Sequence, residues 1–203
     1  MPEHQTGLQM LRPDLEGLPA LAPVLAALPA EYTLRTYQSG DESGWAALMN
    51  TGDMGAWDVE TTRRKLTDLP SPQFDVDGLF LLIHSPQQQI VGSACAFLAD
   101  PAERKQGILH MVCVLPQHRG RRLSYAVCLA VLHRFRQRGI ASVRLNTGAH
   151  RLGAVKVYLE LGFQPIWSRP WHAALWQDVV TTLGWTQPLT PVLDNSEAAD
   201  ADG

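Results

Sequence analysis

The 203-residue chain has only three cysteines, Cys95, Cys113 and Cys128, an odd number set in apolar runs without the short paired spacing of a zinc site. That pattern excludes a disulfide framework and a cysteine-ligated metal, and fits buried thiols in a reducing compartment. Charge is also sparse, at 18% of residues, and 17 Lys and Arg against 20 Asp and Glu leave a net charge of −3. Such a balance offers no global attraction for nucleic acid or anionic lipid, so any anion site has to be local. No apolar run approaches the ~20 residues that a membrane span requires, and the N-terminus lacks a basic stretch followed by a long apolar one. These absences predict a cytoplasmic protein with no metal, no nucleic-acid partner and no membrane partner.

What is present is a 45% hydrophobic composition, enough over this length for one α/β domain with a sizeable core. Residues 1–30 carry Pro2, Pro13, Pro19, Pro23 and Pro29 among leucines and alanines, so an irregular Pro-rich arm is expected there. Residues 31–185 form the expected domain, and residues 186–203, ending in an acidic stretch poor in apolar side chains, a disordered tail. Within the domain a strand is predicted over 32–38, then a helix from Asp41 with Asp41 or Ser43 as cap, then a helix over 59–69 capped by Asp58. Residues 78–84 and 90–98 read as an antiparallel pair joined by a polar connection. The apolar run 108–115 predicts a central strand covered on both faces and ended by Pro116. A long amphipathic helix over 121–137 closes at Gly139. A strand over 142–146, a short helix over 152–161, a strand from Phe163 and a terminal helix over 171–183 complete the order.

The informative passage leads from the buried strand through Gln117, His118, Arg119, Gly120, Arg121, Arg122, Leu123 and Ser124 directly into the long helix. The first amides of a helix lack intrahelical partners and sit at the positive end of its dipole, and Gly120 lets backbone approach a phosphate. Arg119, Arg121 and Arg122 add mobile positive charge. The same loop is also compatible with a tight connection carrying solvated arginines.

Gln117-x-x-Gly120-x-Arg122 resembles the pyrophosphate-binding motif of the GCN5-related N-acetyltransferases, usually Gln/Arg-x-x-Gly-x-Gly/Ala, with Arg122 in place of the second small residue and Ser124 where many members have a further glycine. About thirty residues later, the segment from Ala154 through Tyr158 to Gly162 and Phe163 is similar to the family's short helix ending in Tyr-x-x-x-Gly-Phe. The element order over residues 32–166 resembles the family's topology, and Leu11-Arg12-Pro13-Asp14-Leu15 resembles a segment of the mycothiol-synthase-like branch. The resemblance implies an α/β fold with a central, mostly antiparallel sheet, a parallel pair splayed around the CoA site, and flanking helices. It implies acetyl-CoA as acyl-donor cosubstrate, no metal, and direct transfer of the acetyl group to a primary amine of a small-molecule acceptor.

By the same resemblance, the backbone of Val112, Cys113 and Val114 pairs with the pantetheine arm, and the amide of Val114 or Cys113 polarises the thioester carbonyl. Amides of Arg119, Gly120, Arg121, Arg122, Leu123 and Ser124, with Gln117, hold the pyrophosphate, and Arg151 takes a position near the CoA arm. Tyr158 stands where the family places its general acid, the alternative being a tyrosine packed between helix and sheet. A protonated amine needs a base, and His110, four residues before Val114, is the first choice because imidazole titrates near working pH; a hydrogen-bonded strand histidine is the alternative. Glu103, Asp53 and His172 are weaker candidates. Core packing is the default for Trp45, Trp57, Trp167, Trp171, Trp176 and Trp185, but Trp57 or Trp171 lining a pocket would favour a partly apolar or cationic acceptor. A second functional class, a catalytically silent acyl-CoA-binding regulatory protein of the same fold, is prompted by Arg122. A nucleic-acid module ranks last, since the loop arginines lack interleaved aromatics. The sequence leaves open the acceptor's identity and whether subunits pair into a homodimer.

Overall fold

Two long, largely apolar runs set the frame. β3 (Phe74–His84) and β4 (Gln89–Leu98) pair antiparallel with His84 opposite Gln89, as the sequence predicts, around a short 3-10 turn over Ser85–Gln87. Ile90, Val91, Ala94, Cys95, Ala96 and Leu98 of β4 are all buried, which makes it an inner strand. β2 (Tyr32–Thr36) adds antiparallel to β3, and β5 (Gln106–Val114) adds antiparallel to β4. The computed structural model describes residues 7–51, 55–68, 71–103 and 105–193. It contains two compact units, Leu15–Val143 and the combination of Met1–Asp14 with Arg144–Gly203.

In the first unit, α2 (Glu42–Met49) and α4 (Leu123–Gln137) pack on opposite faces of these four strands. Side chains alternate across a strand, so Ser93, bonded to Trp45 of α2, and Gly107, opposite Leu98 and against Phe135 of α4, mark the two faces. A Cβ on Gly107 would come within 2.5 Å of the Phe135 ring, so the absent side chain is what lets α4 lie close. Arg134 and Arg138 of α4 both reach Asp75 of β3, at 2.9 and 2.7 Å.

Asp41 does not cap α2. Its carboxylate pairs with both terminal nitrogens of Arg35, at 2.6 and 2.7 Å, and accepts from the Gln38 amide, fixing the preceding turn instead. Asp58 does cap α3 (Val59–Arg63), accepting from the Thr61 amide at 2.7 Å, after which the helix widens into a π turn over Arg64–Asp68.

The second unit corrects the expectation of an irregular arm at residues 1–30. β1 (Gly7–Arg12) pairs antiparallel with β7 (Gln164–Trp167), Met10 opposite Pro165, and Leu8 and Met10 are fully buried. The first unit's α1 (Leu21–Ala26) also lies in that segment, with Pro23 in its first turn, where a missing N–H costs nothing. β6 (Ser142–Gly148) leads out of the first unit, followed by α5 (Leu152–Glu160), β7, α6 (His172–Leu183) and β8 (Val192–Leu193). β8 runs parallel to β7, so residues 186–193 are not wholly tail, and the rest of the expected tail lies outside the described residues. Among the described residues no helix is long and apolar enough to cross a membrane.

Candidate active site

β5 carries a bulge. His110 pairs with Cys95 and Cys113 with Ser93, so three residues of β5 advance where β4 advances two, and Met111 takes a left-handed φ of 51° to absorb the extra residue. The run is therefore not covered on both faces as expected: Leu109 and Val114 are buried, while Ile108, Met111, Val112 and Cys113 are half-buried and His110 is exposed. Beyond the bulge the ladder is regular. Leu115 donates its amide to Val91, and alternation along an antiparallel strand then directs the Cys113 amide toward β4 and the Val114 amide to the opposite edge. Of the two amides left open by the sequence, only that of Val114 is turned away from the β4 ladder.

A 3-10 turn over Pro116–His118 follows, and Gly120 (φ 78°) and Arg122 (φ 58°) both turn the chain through the left-handed region before α4 begins at Leu123, two residues later than predicted. Gly120 is there for its φ; a Cβ on it would meet nothing within 4 Å. Arg119 and Arg121 are not mobile charges. The Arg119 Nε donates to the Val114 carbonyl at 3.0 Å, and the Arg121 Nη1 to the carbonyls of Gln117 and Arg119 at 3.0 and 3.1 Å, so both guanidinium groups brace the loop. The Arg122 guanidinium lies 4.3 Å over the Tyr125 ring. The Leu123 side chain is buried, leaving its backbone as the group available to a ligand, and Gln117 is exposed beside it.

Under the loop, buried His118 hydrogen-bonds through Nδ1 with the Tyr32 hydroxyl at 2.8 Å and lies 5.0 Å from the His84 ring. Burial, with repulsion from His84 and Arg121, holds its pKa below the usual histidine value. His110 and Cys113, opposite Cys95 and Ser93, stand on the face that α2 covers. The His110 ring meets the Phe97 edge at 5.1 Å, and desolvation lowers its pKa from the ordinary 6.5 although part of the imidazole remains open.

In the second unit Tyr158 of α5 is buried with its ring 5.9 Å from Phe163, and Gly162 closes the helix at φ 80°. Arg12 donates to the Leu161 carbonyl and to the Asp14 carbonyl, and a Cβ on Gly162 would run into its guanidinium. Arg151 precedes α5, its carbonyl accepting the amides of Ala154 and Val155. A cavity of about 340 Å³ in the same unit is lined by Gln9, Asn146, Thr147, Arg169, Trp171 and His172 among others. The Ser168 amide donates to His172 Nδ1 at 3.1 Å, which puts the proton of the neutral ring on Nε2 and removes Nδ1 as a base. In the first unit the chain's own Lys65 lies over the Trp57 ring at 4.3 Å. Glu103 pairs with Lys105, and Asp53 lies outside the described residues.

A model of the acetyltransferase (GNAT) family matches residues 45–163, more than half of the chain and including the bulged strand, the loop and the Gly-Phe turn. The chain belongs to the GNAT family. It is 32% identical over 168 residues to a mycothiol acetyltransferase from Thermobispora bispora, covering 76% of this chain and 52% of that protein. Among solved structures, a GCN5-related N-acetyltransferase from Sphaerobacter thermophilus superposes with a TM-score of 0.61 at 23% identity, over 79% of this chain and 48% of the other. A tandem GNAT protein from the clavulanic acid biosynthesis pathway gives 0.58 at 20% identity, over 79% and 50%. These structural likenesses establish the GNAT α/β fold, and the chain spans about half the length of the curated relatives it matches.

Against the GNAT frame, the first unit brings together Val112, Cys113, Val114, Gln117, Arg119, Gly120, Arg121, Arg122, Leu123, Ser124 and His110 on one strand, its loop and the following helix. Tyr158 and Arg151 belong to the second unit. Sequence reasoning missed Trp45, Ser93 and the turn at Met111. The signal was Ser93 itself, a hydroxyl inside a strand whose neighbours are all apolar or glycine, which has to find a partner when buried.

Proposed function

We propose that this chain is an acetyl-CoA-dependent N-acetyltransferase that moves an acetyl group directly to a primary amine of a small-molecule acceptor. The observation that carries it is the continuous path from a bulged strand, through a loop turned twice into left-handed backbone, to the N-terminus of a 15-residue helix. Its donor set fits a pyrophosphate: outward helix amides, with Arg119 held close by the Val114 carbonyl at the end of β5 and Arg121 by the loop carbonyls of Gln117 and Arg119. The Val114 amide supplies a preorganised donor to the thioester oxygen. His110 takes one proton of the attacking ammonium, the amine nitrogen bonds to the carbonyl carbon, the C–S bond breaks as Tyr158 protonates the departing thiolate, and the second proton shed by the nitrogen returns to the Tyr158 oxygen, leaving the neutral amide. The name of the relatives from Thermobispora bispora and Thermomonospora curvata, mycothiol acetyltransferase, supports a small molecule over a protein as acceptor.

Calorimetric titration with acetyl-CoA, with ATP as a control for generic phosphate binding, followed by thiol release across a panel of amines, tests the assignment. Saturable, CoA-selective binding with turnover is expected, and Tyr158→Phe should keep that affinity while slowing thiol release about tenfold. No binding at millimolar acetyl-CoA overturns the proposal; binding without turnover of any amine leaves the silent CoA-binding protein. An unchanged rate in the Phe variant removes the hydroxyl from the chemistry.

A further inference from the structure

The turn at Met111 is costly for a residue with a Cβ, and nothing in its own side chain explains it; left-handed backbone at a non-glycine position persists only where the surroundings impose it. What imposes it is a relay from α2. The Trp45 Nε1–H donates to Ser93 Oγ at 3.1 Å, and the Ser93 hydroxyl donates to the Met111 carbonyl at 3.0 Å. The directions are fixed by chemistry: an indole nitrogen can only donate, so the serine oxygen accepts there and spends its single proton on Met111. Both side chains are buried, Trp45 at 2% exposure and Ser93 at 0%, so the two bonds have no competition from water. Ser93 therefore takes the carbonyl that the bulge swings out of the ladder and sets the plane of the Met111–Val112 peptide, from which the rest of β5 takes its register.

We infer that Trp45 and Ser93 are positioning residues for acetyl transfer: they hold the bulge at the angle that aims the amides beyond it, that of Val114 above all, at the thioester oxygen. The inference rests on the acetyltransferase assignment above. It concerns two residues that reach no reacting atom, one of them on a helix on the far side of the hydrogen-bonded relay.

The test uses the carbonyl stretch of acetyl-CoA labelled with carbon-13 at the carbonyl, read by isotope-edited infrared difference spectroscopy on the full chain, together with kcat and KM. Bound to the wild type, the band should fall in frequency relative to solution, reporting the oxyanion hydrogen bond. Ser93→Ala should return the band most of the way to its solution position and lower kcat about tenfold or more, with KM and the affinity for desulfo-CoA within about twofold. Ser93→Thr, which keeps the hydroxyl, should restore the shift. Where Ser93→Ala does not fold, Trp45→Phe serves instead, since it keeps an aromatic ring in the buried site while removing the donor that orients the serine, and a partial loss of the shift is expected. A variant that keeps both the wild-type band and the wild-type kcat overturns the inference while leaving the acetyltransferase intact. No shift and no turnover in the wild type overturns the assignment, and the inference with it.

Discussion

His110 is exposed by position on β5, yet it titrates below an ordinary histidine because the strand and the Phe97 ring displace part of its hydration. A lowered pKa keeps the imidazole neutral, and hence able to accept a proton, through the whole neutral range. As the base, it predicts a kcat/KM that rises with pH to an inflection below 6.5 and then holds level until the acceptor amine itself titrates. His110→Gln should remove that inflection and lower the plateau by roughly a hundredfold; an unchanged profile would assign the ring to sheet packing. At this scale the sequence announced the residue types and left out their geometry. Three arginines around one glycine were legible as local positive charge, but the carbonyls that two of them grip, Val114 at the end of β5 for Arg119 and Gln117 for Arg121, are brought into reach only by the path of the folded loop.

Element boundaries slipped where backbone conformation, rather than periodicity, ends a segment. The helix expected from Arg121 starts instead at Leu123, the first residue of its apolar spacing, because Arg122 sits at φ 58°. A side chain in that region costs about 1 kcal/mol relative to glycine, and the stacking of Arg122 on Tyr125 offsets part of it. Arg122→Ala keeps the backbone strain and loses the stacking, whereas Arg122→Gly loses both. The glycine variant should therefore be more stable than the alanine variant by about 1 kcal/mol in urea denaturation; equal stabilities would mean that the turn carries no strain. β3 and β4 were legible because two apolar runs flank a short polar connection. β1 was hidden because Pro13 and Pro19 read as breaks inside a segment when they in fact flank its strand and helix. β8 is two residues long, held by a partner some twenty-five residues earlier, and no local pattern encodes it.

For the molecule as a whole, the family and fold were legible from two motifs in order, while the division into Leu15–Val143 and a unit assembled from both ends of the chain was not. Local patterns carry no record of which distant segments share a core. Because Leu8 and Met10 are fully buried, deleting residues 1–14 should unfold the second unit selectively. Hydrogen exchange should speed up across β6, α5, β7 and α6 while β2, β3, β4 and α4 stay protected. Uniform protection in the truncated chain would show β1 to be dispensable.

Met10 and Pro165 are neighbours in register but 155 positions apart, from residue 10 to residue 165. On a ribosome moving at ~5–20 residues per second, β1 is made roughly 8 to 30 seconds before its partner exists. Through that interval Leu8, Met10 and the unpaired edge of β1 are displayed to the cell while the middle of the chain is already able to close on itself. The demand for chaperone protection during synthesis therefore falls on β1, and slowing translation would lengthen the exposure of that strand.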